Sequence, residues 1–317
     1  MPLPPDDLGP IIRVGEDRRL EAIQRLVDAD GRGDPDHARR FLDSSASMGI
    51  SLDDLFARLD DGNRIVASVL SVRSPGRTAM LFASHVRTPA EIPSLAGVIR
   101  HTGAVLDETD ISLSQALLDP SEIRERSAFL QGGFHDLASL SYLERPIPNR
   151  RQRPRIDWPD NVVAVPYEQS RHAEIIPLLN ATYHDTLDCP GLFGLRETAD
   201  ILDGHVATGE FDPTLWTLLE VDEQLAGVLM LNPSTSSQSV ELVYMGLAPI
   251  ARGRGLGTRL LRHGLSLVSG RRERTVTLAV DDLNAPALHV YRREGFRRFL
   301  RRRALIRSDQ RELSTEH

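Results

Sequence analysis

A short run of glycines and arginines is the part of this sequence best suited to chemistry. Residues 247–261 read LAPIARGRGLGTRLL, with three glycines at alternate positions between a strand-like stretch and an apolar periodic run. Glycine lets the backbone approach a ligand closely, and amides at the start of a helix favour an anion. The arginines add positive charge, although either can equally be a solvated surface residue. The residues predicted to hold a phosphate or pyrophosphate are Arg252, Gly253, Arg254, Gly255, Leu256, Gly257 and Thr258.

Three other interpretations of this turn are weaker. A dinucleotide fingerprint needs G-x-G-x-x-G after the first strand of a βαβ unit, whereas here the third glycine comes one residue early. A Walker A loop needs a lysine, and the chain has none, since every basic residue is arginine or histidine. If the turn only connected two elements, each glycine would cost roughly 1 kcal/mol of extra backbone entropy on folding with nothing to offset that cost.

Composition describes an ordinary globular protein. The 317 residues are enough for two domains, 40% are hydrophobic, and the net charge of −7 disfavours binding to nucleic acid or to an anionic membrane. Cys189 is the only cysteine, so no disulfide framework is expected. The first residues resemble no leader and no apolar run is long enough for a membrane span. We expect a cytoplasmic protein without a metal site, and the sequence leaves its oligomeric state open.

The second half of the chain predicts the order βααβββαβαβ. Prolines and arginines at 144–160 indicate a linker, which places the domain boundary at residue 155. Strands are predicted at 162–168, 214–221, 224–232, 240–247, 275–280 and 296–306, and helices at 170–187, 195–207, 285–294 and after the glycine turn.

The first half predicts the same order with a different sequence. A strand and a helix are predicted at 11–28, a second helix at 51–59, and later strands at 64–72, 79–86 and 110–117. Gly133 and Phe134 match Gly295 and Phe296, and Phe129 stands where Tyr291 stands. The stretch at 86–103, which contains Pro93, lacks the Arg-Gly run. One fold therefore occurs twice, and only the second copy keeps the special residues.

The second copy resembles the GCN5-related N-acetyltransferase (GNAT) family. Arg252-x-x-Gly255-x-Gly257 is similar to the acyl-CoA loop of that family, and NAPALHVYRREGF at 284–296 is similar to its motif with an Asn and a Tyr before Gly-Phe. The element order is also the family's. In overall plan the chain resembles the tandem architecture of the mycothiol synthases.

The resemblance implies an α/β (α+β mixed sheet) fold of two tandem acyl-CoA N-acyltransferase domains. Residues 1–155 would be a degenerate structural domain, and residues 156–317 a catalytic domain that uses acetyl-CoA to acylate a primary amine of a small molecule or peptide. The family separates the strands at 240–247 and 275–280 to admit the pantetheine arm. Met245 and Leu247 would then offer backbone groups, with an oxyanion donor between them.

The same resemblance assigns two catalytic roles and one binding role. Glu241 stands where some members carry a general base, although a solvent-facing strand glutamate is an equal alternative. Tyr291 matches the tyrosine that donates to the coenzyme sulfur, against the alternative of a packed aromatic ring. Asn284 would cap the last helix while facing the pantetheine.

Three further interpretations stay open in the sequence. Cys189 could carry the acyl group, but Asp185 and Asp188 beside it would raise the pKa of its thiol, so a structural role is favoured. The same aspartates favour a cationic acceptor. The arginines at 297–303 read as a solvated strand face rather than a nucleic-acid patch. A non-catalytic acyl-CoA sensor and a nucleic-acid-binding regulator are the rival functions.

Overall fold

The structure is a computed structural model that describes residues 8–27, 35–234 and 237–308. The chain divides into two compact units, one made of Met1–Leu137 with Arg303–His317 and the other of Ala138–Arg302. In the described ranges, no helix combines the length and the apolar character that a membrane span requires. The same ranges contain no group of three or more His, Cys, Asp or Glu side chains placed to hold a metal ion.

Each half of the sequence contains the ten elements βααβββαβαβ, as the sequence predicts. The first half comprises β1 (Ile11–Arg13), α1 (Arg19–Val27), α2 (Pro35–Ser45), β2 (Leu55–Leu59), β3 (Ile65–Ser74), β4 (Thr78–Ala83), α3 (Ile92–Asp107), β5 (Leu113–Leu118), α4 (Ile123–Gln131) and β6 (His135–Pro146). The second comprises β7 (Val162–Pro166), α5 (His172–Tyr183), α6 (Thr198–Ala207), β8 (Thr217–Val221), β9 (Gln224–Ser234), β10 (Ser239–Leu247), α7 (Leu256–Leu267), β11 (Thr275–Asp281), α8 (Ala285–Arg293) and β12 (Arg297–Ser308).

The two units have the same mixed sheet. In the first, β1 to β4 pair antiparallel in sequence order, β4 pairs parallel with β5, and β5 pairs antiparallel with residues 303–308 of β12. In the second, β7 to β10 pair antiparallel, β10 pairs parallel with β11, and β11 pairs antiparallel with residues 140–146 of β6. The mixed α/β fold is therefore as expected from the sequence.

The last strand of each sheet comes from the other half of the sequence. Residues 140–146 belong to the first repeat but pair with β11, and residues 303–308 belong to the second repeat but pair with β5. The predicted domain boundary at residue 155 divides the chain between its two sequence repeats, and it stays a prediction. The compact units follow strand pairing instead, so a fragment that begins at residue 156 would lack the strand that covers β11.

One predicted element of the first unit is wrong. Residues 51–59 were expected to form a helix, because Leu52, Leu55, Phe56 and Leu59 recur at helical spacing. Instead Leu55–Leu59 is a strand, β2, in which every residue is buried, Arg58 included. Because both faces are covered, the strand lacks the alternation of apolar and exposed polar residues that marks a half-exposed strand. The second helix is α2 (Pro35–Ser45), whose apolar positions are sparser.

Packing of α7 against the sheet positions the predicted anion site. Leu260, Leu261 and Leu265 are buried on one stripe of this helix, in a cluster with Leu229 of β9. At Gly264 a Cβ would lie 3.0 Å from a methyl of Leu229, so glycine lets the helix approach the sheet closely. The start of α7 is thereby fixed at the carboxyl end of β10.

The parallel strands separate where the sequence resemblance implies. β10 and β11 pair through Ser239–Thr275, Val240–Val276 and Glu241–Thr277. β10 continues to Leu247 and β11 to Asp281, but the pairing recorded for the described residues ends at Glu241. The opening between the two strands leaves one backbone edge of β10 available to a ligand.

Candidate active site

A cavity of about 600 Å³ lies in the opening between β10 and β11. Its walls come from the end of α5 and the following loop, β10, the glycine turn, α7, β11 and the start of α8. The predicted site residues that line it are Met245, Leu247, Arg252, Gly253, Gly255, Leu256, Gly257, Thr258, Asn284 and Tyr291. Glu241 and Arg254 are absent from its lining.

The glycine turn presents backbone amides to this cavity. Gly253 and Gly255 have φ of 71° and 70°, a left-handed conformation that strains other residues. Among the described residues, no atom lies within 4 Å of a Cβ built on Gly253, so the space above the turn is open to a ligand. Gly255 is the N-cap of α7 and offers no side-chain acceptor to the first amides. These amides and the positive end of the helix favour an anion.

The two arginines of the turn differ in their contacts. Arg252 donates through Nε to the carbonyl of Leu247 and through Nη2 to the carbonyl of Thr182, each over 2.9 Å, and through Nη1 to the carbonyl of Asp185 over 3.4 Å. Its guanidinium therefore joins the end of β10 to the end of α5. Arg254 is exposed, so its charge is free to meet a phosphate from solvent.

Tyr291 lies on α8 at the far wall of the cavity. The residue is only 7% exposed, and its ring packs edge-on against Phe296 with centroids 5.7 Å apart. Burial raises the pKa of its phenol, and the negative charge of Asp188 adds to the shift. The phenol is therefore protonated at neutral pH, and its hydroxyl can donate a hydrogen bond to a group in the cavity.

The side-chain amide of Asn284 both accepts and donates a hydrogen bond. Its Oδ1 accepts a hydrogen bond from the Ala287 amide over 3.2 Å, so the residue caps α8. Its side chain also donates to the carboxylate of Asp188. The predicted capping role is therefore present together with a cavity-facing position.

Glu241 is the last residue of β10 that pairs with β11, opposite Thr277. It is partly buried, and burial alone raises the pKa of its carboxyl. The residue thus lies where the strands begin to separate, outside the cavity wall. A base at this position would reach the cavity through water.

Two aspartates organise the loop between α5 and α6. Asp188 lines the cavity and accepts a hydrogen bond from the Asp281 amide over 2.9 Å. The carboxylate of Asp281, 2% exposed, accepts from the amides of Leu283 over 2.9 Å and Cys189 over 3.3 Å. The sequence indicates Asp188 as a charge beside the cysteine and as a residue that favours a cationic acceptor, but it does not indicate the pairing with Asp281. Its partner is 93 residues away along the chain, so no local pattern indicates the pair.

Cys189 is poorly suited to carry an acyl group. Burial, with the charges of Asp188 and Asp281, raises the pKa of its thiol to about 12. Its backbone is left-handed, with φ of 46°, at the start of a single helical turn. These features support the structural role favoured by the sequence.

An aromatic cluster behind the cavity was missed in the sequence. The hydroxyl of Tyr244 lies 2.8 Å from Oγ1 of Thr182, and its ring stacks on His205 with centroids 5.3 Å apart. The ring of Tyr183 meets Tyr244 edge-on at 5.6 Å. Burial lowers the pKa of His205 to about 4, so its ring is neutral at pH 7. A register shift between Leu242 and Tyr244 accompanies this arrangement, and bulges leave no sequence signal here.

Comparison with known proteins places this site in a family. Residues 179–296 match the model of the acetyltransferase (GNAT) family. The mycothiol acetyltransferase of Clavibacter michiganensis is 41% identical over 103 residues, which cover 32% of this chain and 33% of the relative. The streptothricin acetyltransferase of Streptomyces lavendulae is 34% identical over 85 residues, which cover 27% and 45%. The aligned part thus spans about a third to a half of the length of these relatives.

Solved structures extend the likeness of the fold to both units. A GCN5-related N-acetyltransferase from Sphaerobacter thermophilus aligns with a TM-score of 0.61 at 16% identity over 94% of this chain and 95% of its own. A tandem GNAT protein from the clavulanic acid biosynthesis pathway aligns with a TM-score of 0.52 at 15% identity, over 93% and 96%. The chain therefore has the fold of tandem GNAT proteins, and its residues 179–296, which contain the residues that line the cavity, match the model of the GNAT family of acetyltransferases.

Proposed function

We propose that the protein is an N-acetyltransferase that transfers an acetyl group from acetyl-CoA to a primary amine of a small molecule or peptide. The observation that carries this proposal is the continuity of the cavity. The amides at the start of α7, to which the N-cap Gly255 gives no side-chain acceptor, stand at one end. The edge of β10 that separates from β11 runs along the cavity, and Tyr291 lines its far wall. This order matches a pyrophosphate, an extended pantetheine arm and a thioester.

The turn would hold the coenzyme by its pyrophosphate. The amides of Gly255, Leu256 and Gly257 supply hydrogen-bond donors, and the exposed Arg254 supplies charge. Arg252 contributes positive potential, while its donors already hold the ends of β10 and α5 together. The backbone of Met245 and Leu247 would pair with the pantetheine amides as an added strand does.

Chemistry would follow at the sulfur end of the arm. The amine nitrogen attacks the thioester carbon, and a main-chain amide between Met245 and Leu247 stabilises the oxyanion. A water passes the ammonium proton to Glu241, whose raised pKa suits a base. The C–S bond then breaks, and the leaving thiolate takes the proton of the Tyr291 hydroxyl.

A thiol-release assay tests this function. Full-length protein with acetyl-CoA would be offered a panel of amines, peptides and aminoglycosides, with the acetylated product identified by mass spectrometry. We expect thiol release that depends on the amine. Coenzyme binding by calorimetry without release for any acceptor would favour the acyl-CoA sensor instead. Absence of coenzyme binding would contradict both functions.

A further inference from the structure

One carboxylate of the cavity wall has no part in the acetyl transfer described above. Asp188 lies in the loop between α5 and α6 and its side chain is open to the cavity. The amide of Asp281, at the end of β11, donates to it over 2.9 Å, and the side chain of Asn284, at the start of α8, donates as well. Both donors belong to elements across the cavity from the loop. The carboxylate is therefore held in one orientation.

No cationic side chain neutralises this carboxylate within the ranges that the structure describes. Other aspartates are paired with arginine, as Asp107 is with Arg307 and Asp54 with Arg73 at 2.8 Å. Around Asp188 the charged neighbour is instead Asp281. Burial, together with that like charge, raises the pKa of Asp188, while the two hydrogen bonds oppose the rise. Asp188 is itself exposed to the open cavity, so a cation that enters from solution can reach this carboxylate and offset its charge.

A second observation indicates that a ligand group reaches the same place. Tyr291 is 7% exposed and lines the cavity, and in the described part of the chain its hydroxyl has no hydrogen-bond partner. Asp188 and Tyr291 both line this cavity, and the charge of Asp188 contributes to the raised pKa of the phenol. The hydroxyl is therefore open to a group of a molecule bound in the cavity.

We propose that Asp188 binds an ammonium group of the acceptor, so that the site selects amines carrying a second positive charge besides the amine that reacts. This inference rests on the proposed acetyl transfer. A carboxylate in contact with the reacting nitrogen would keep that nitrogen as an ammonium, which has no lone pair for attack. The group that pairs with Asp188 is therefore a second ammonium of the same acceptor molecule, as in a diamine, a polyamine or an amino sugar with several amines.

Matched pairs of acceptors test this selection. Diamines of two to six carbons would be compared with amino alcohols of equal length, in which a neutral hydroxyl replaces the second ammonium. We expect the wild-type KM to be at least about tenfold lower for the preferred diamine than for its amino alcohol. The variant Asp188→Asn keeps an oxygen that accepts from the Asp281 amide. We expect it to raise the diamine KM to the value of the amino alcohol, with kcat within about threefold.

Asp185→Asn is a control of equal charge change. Asp185 stands in the same loop and also lines the cavity, but its carboxylate lies 2.9 Å from His184, whereas that of Asp188 accepts from the Asp281 amide. We expect the diamine KM of this variant to change less than twofold. Equal effects of the two variants would mean that net charge, not contact, sets the preference, and the inference would fail. A wild-type enzyme that acetylates both members of a pair equally would overturn it too.

The remaining outcomes separate this inference from the proposed function. Absence of thiol release with every amine overturns the acetyl transfer itself. Release with neutral monoamines but no gain from a second charge overturns only the role of Asp188. Loss of coenzyme A binding in Asp188→Asn, measured by calorimetry, would assign the residue to holding the loop and would also contradict the inference.

Discussion

The two units separate the same pair of parallel strands, but in the described residues the side chains beside the two gaps differ. In the first unit β4 and β5 pair through Thr78–Leu113, Ala79–Ser114 and Met80–Gln115, the same three-pair ladder as between β10 and β11. In the second unit the gap holds a cavity of about 600 Å³. In the first, Leu81 of β4, Leu118 of β5 and Phe129 of α4 pack in one apolar cluster. Separation of the strands is thus a property of the fold, and an open cavity depends on side chains.

Register identifies what replaces the catalytic candidates. Met80 occupies the third paired position of β4, where β10 has Glu241. Phe129 packs edge-on against Phe134 at 5.1 Å, as Tyr291 packs against Phe296 at 5.7 Å. Both titratable groups are therefore apolar in the first unit, and the geometry around them is retained. The fold therefore tolerates replacement of the candidate catalytic side chains by apolar ones, and the packing around those positions is kept.

The largest effect is expected from the glycine turn, which the first unit lacks. We expect Gly255→Val to abolish coenzyme A binding in calorimetry, because a β-branched residue at φ of 70° is strained and its side chain would cover the amides of α7. Gly49→Val is the control, since Gly49 in the first unit has the same φ of 70° and open space around its Cβ. Two coenzyme sites per chain, or binding by Gly255→Val, would contradict the comparison.

The tyrosine and its apolar counterpart give the next effect. We expect Tyr291→Phe to lower kcat about 100-fold with coenzyme affinity within a few-fold, because the hydroxyl acts on a thiolate that forms only as the intermediate collapses. The reverse change, Phe129→Tyr, buries a hydroxyl at a position that is 0% exposed. We expect it to destabilise the protein by about 1–3 kcal/mol without adding activity. Steady-state kinetics and denaturant unfolding measure the two, and an unchanged kcat would reduce Tyr291 to a packing residue.

Sequence predicts those parts of the fold whose signal is local. The glycine turn, the helix stripe of Leu260, Leu261 and Leu265, and the cap at Asn284 each lie within a few residues and agree with the structure. β2 was mistaken for a helix because a strand buried on both faces shows no alternation. The exchanged last strands, the aspartate pair and the ring of His205 on Tyr244 depend on residues far apart in the chain. No spacing rule in a single sequence brings such residues together.

Glu241 is expected to give a smaller kinetic effect. Burial raises the pKa of its carboxyl, and a base must be ionised, so kcat/KM should rise with pH through a value above the ordinary 4.3 or so. We expect Glu241→Gln to lower kcat/KM about tenfold and to abolish this rise of kcat/KM with pH. Glu144→Gln is a matched control, because Glu144 of β6 pairs with the opposite side of the same Thr277. A pH profile that both variants leave unchanged would exclude Glu241 as the base.

The smallest effect concerns the glutamate that stabilises the first unit where the second has its turn. Glu125, 7% exposed, accepts from the Val86 amide over 2.8 Å and lies 3.4 Å from His85, in the segment that follows β4. Burial by itself raises the pKa of Glu125, but the hydrogen bonds from His85 and Val86 outweigh it, and the net pKa is lowered. The ionised carboxylate therefore stabilises the fold above the unfolded pKa of about 4.3, and this contribution is lost as pH falls towards the lower folded value.

We expect Glu125→Gln to reduce the free energy of unfolding by about 1 kcal/mol at pH 7 and by progressively less between about pH 5 and 3. Coenzyme affinity should stay at the wild-type value, and Glu108→Gln, at an exposed position that follows α3, should leave stability unchanged. A loss of coenzyme binding in Glu125→Gln would show that the first unit supports the active cavity, and the two gaps would then no longer be independent.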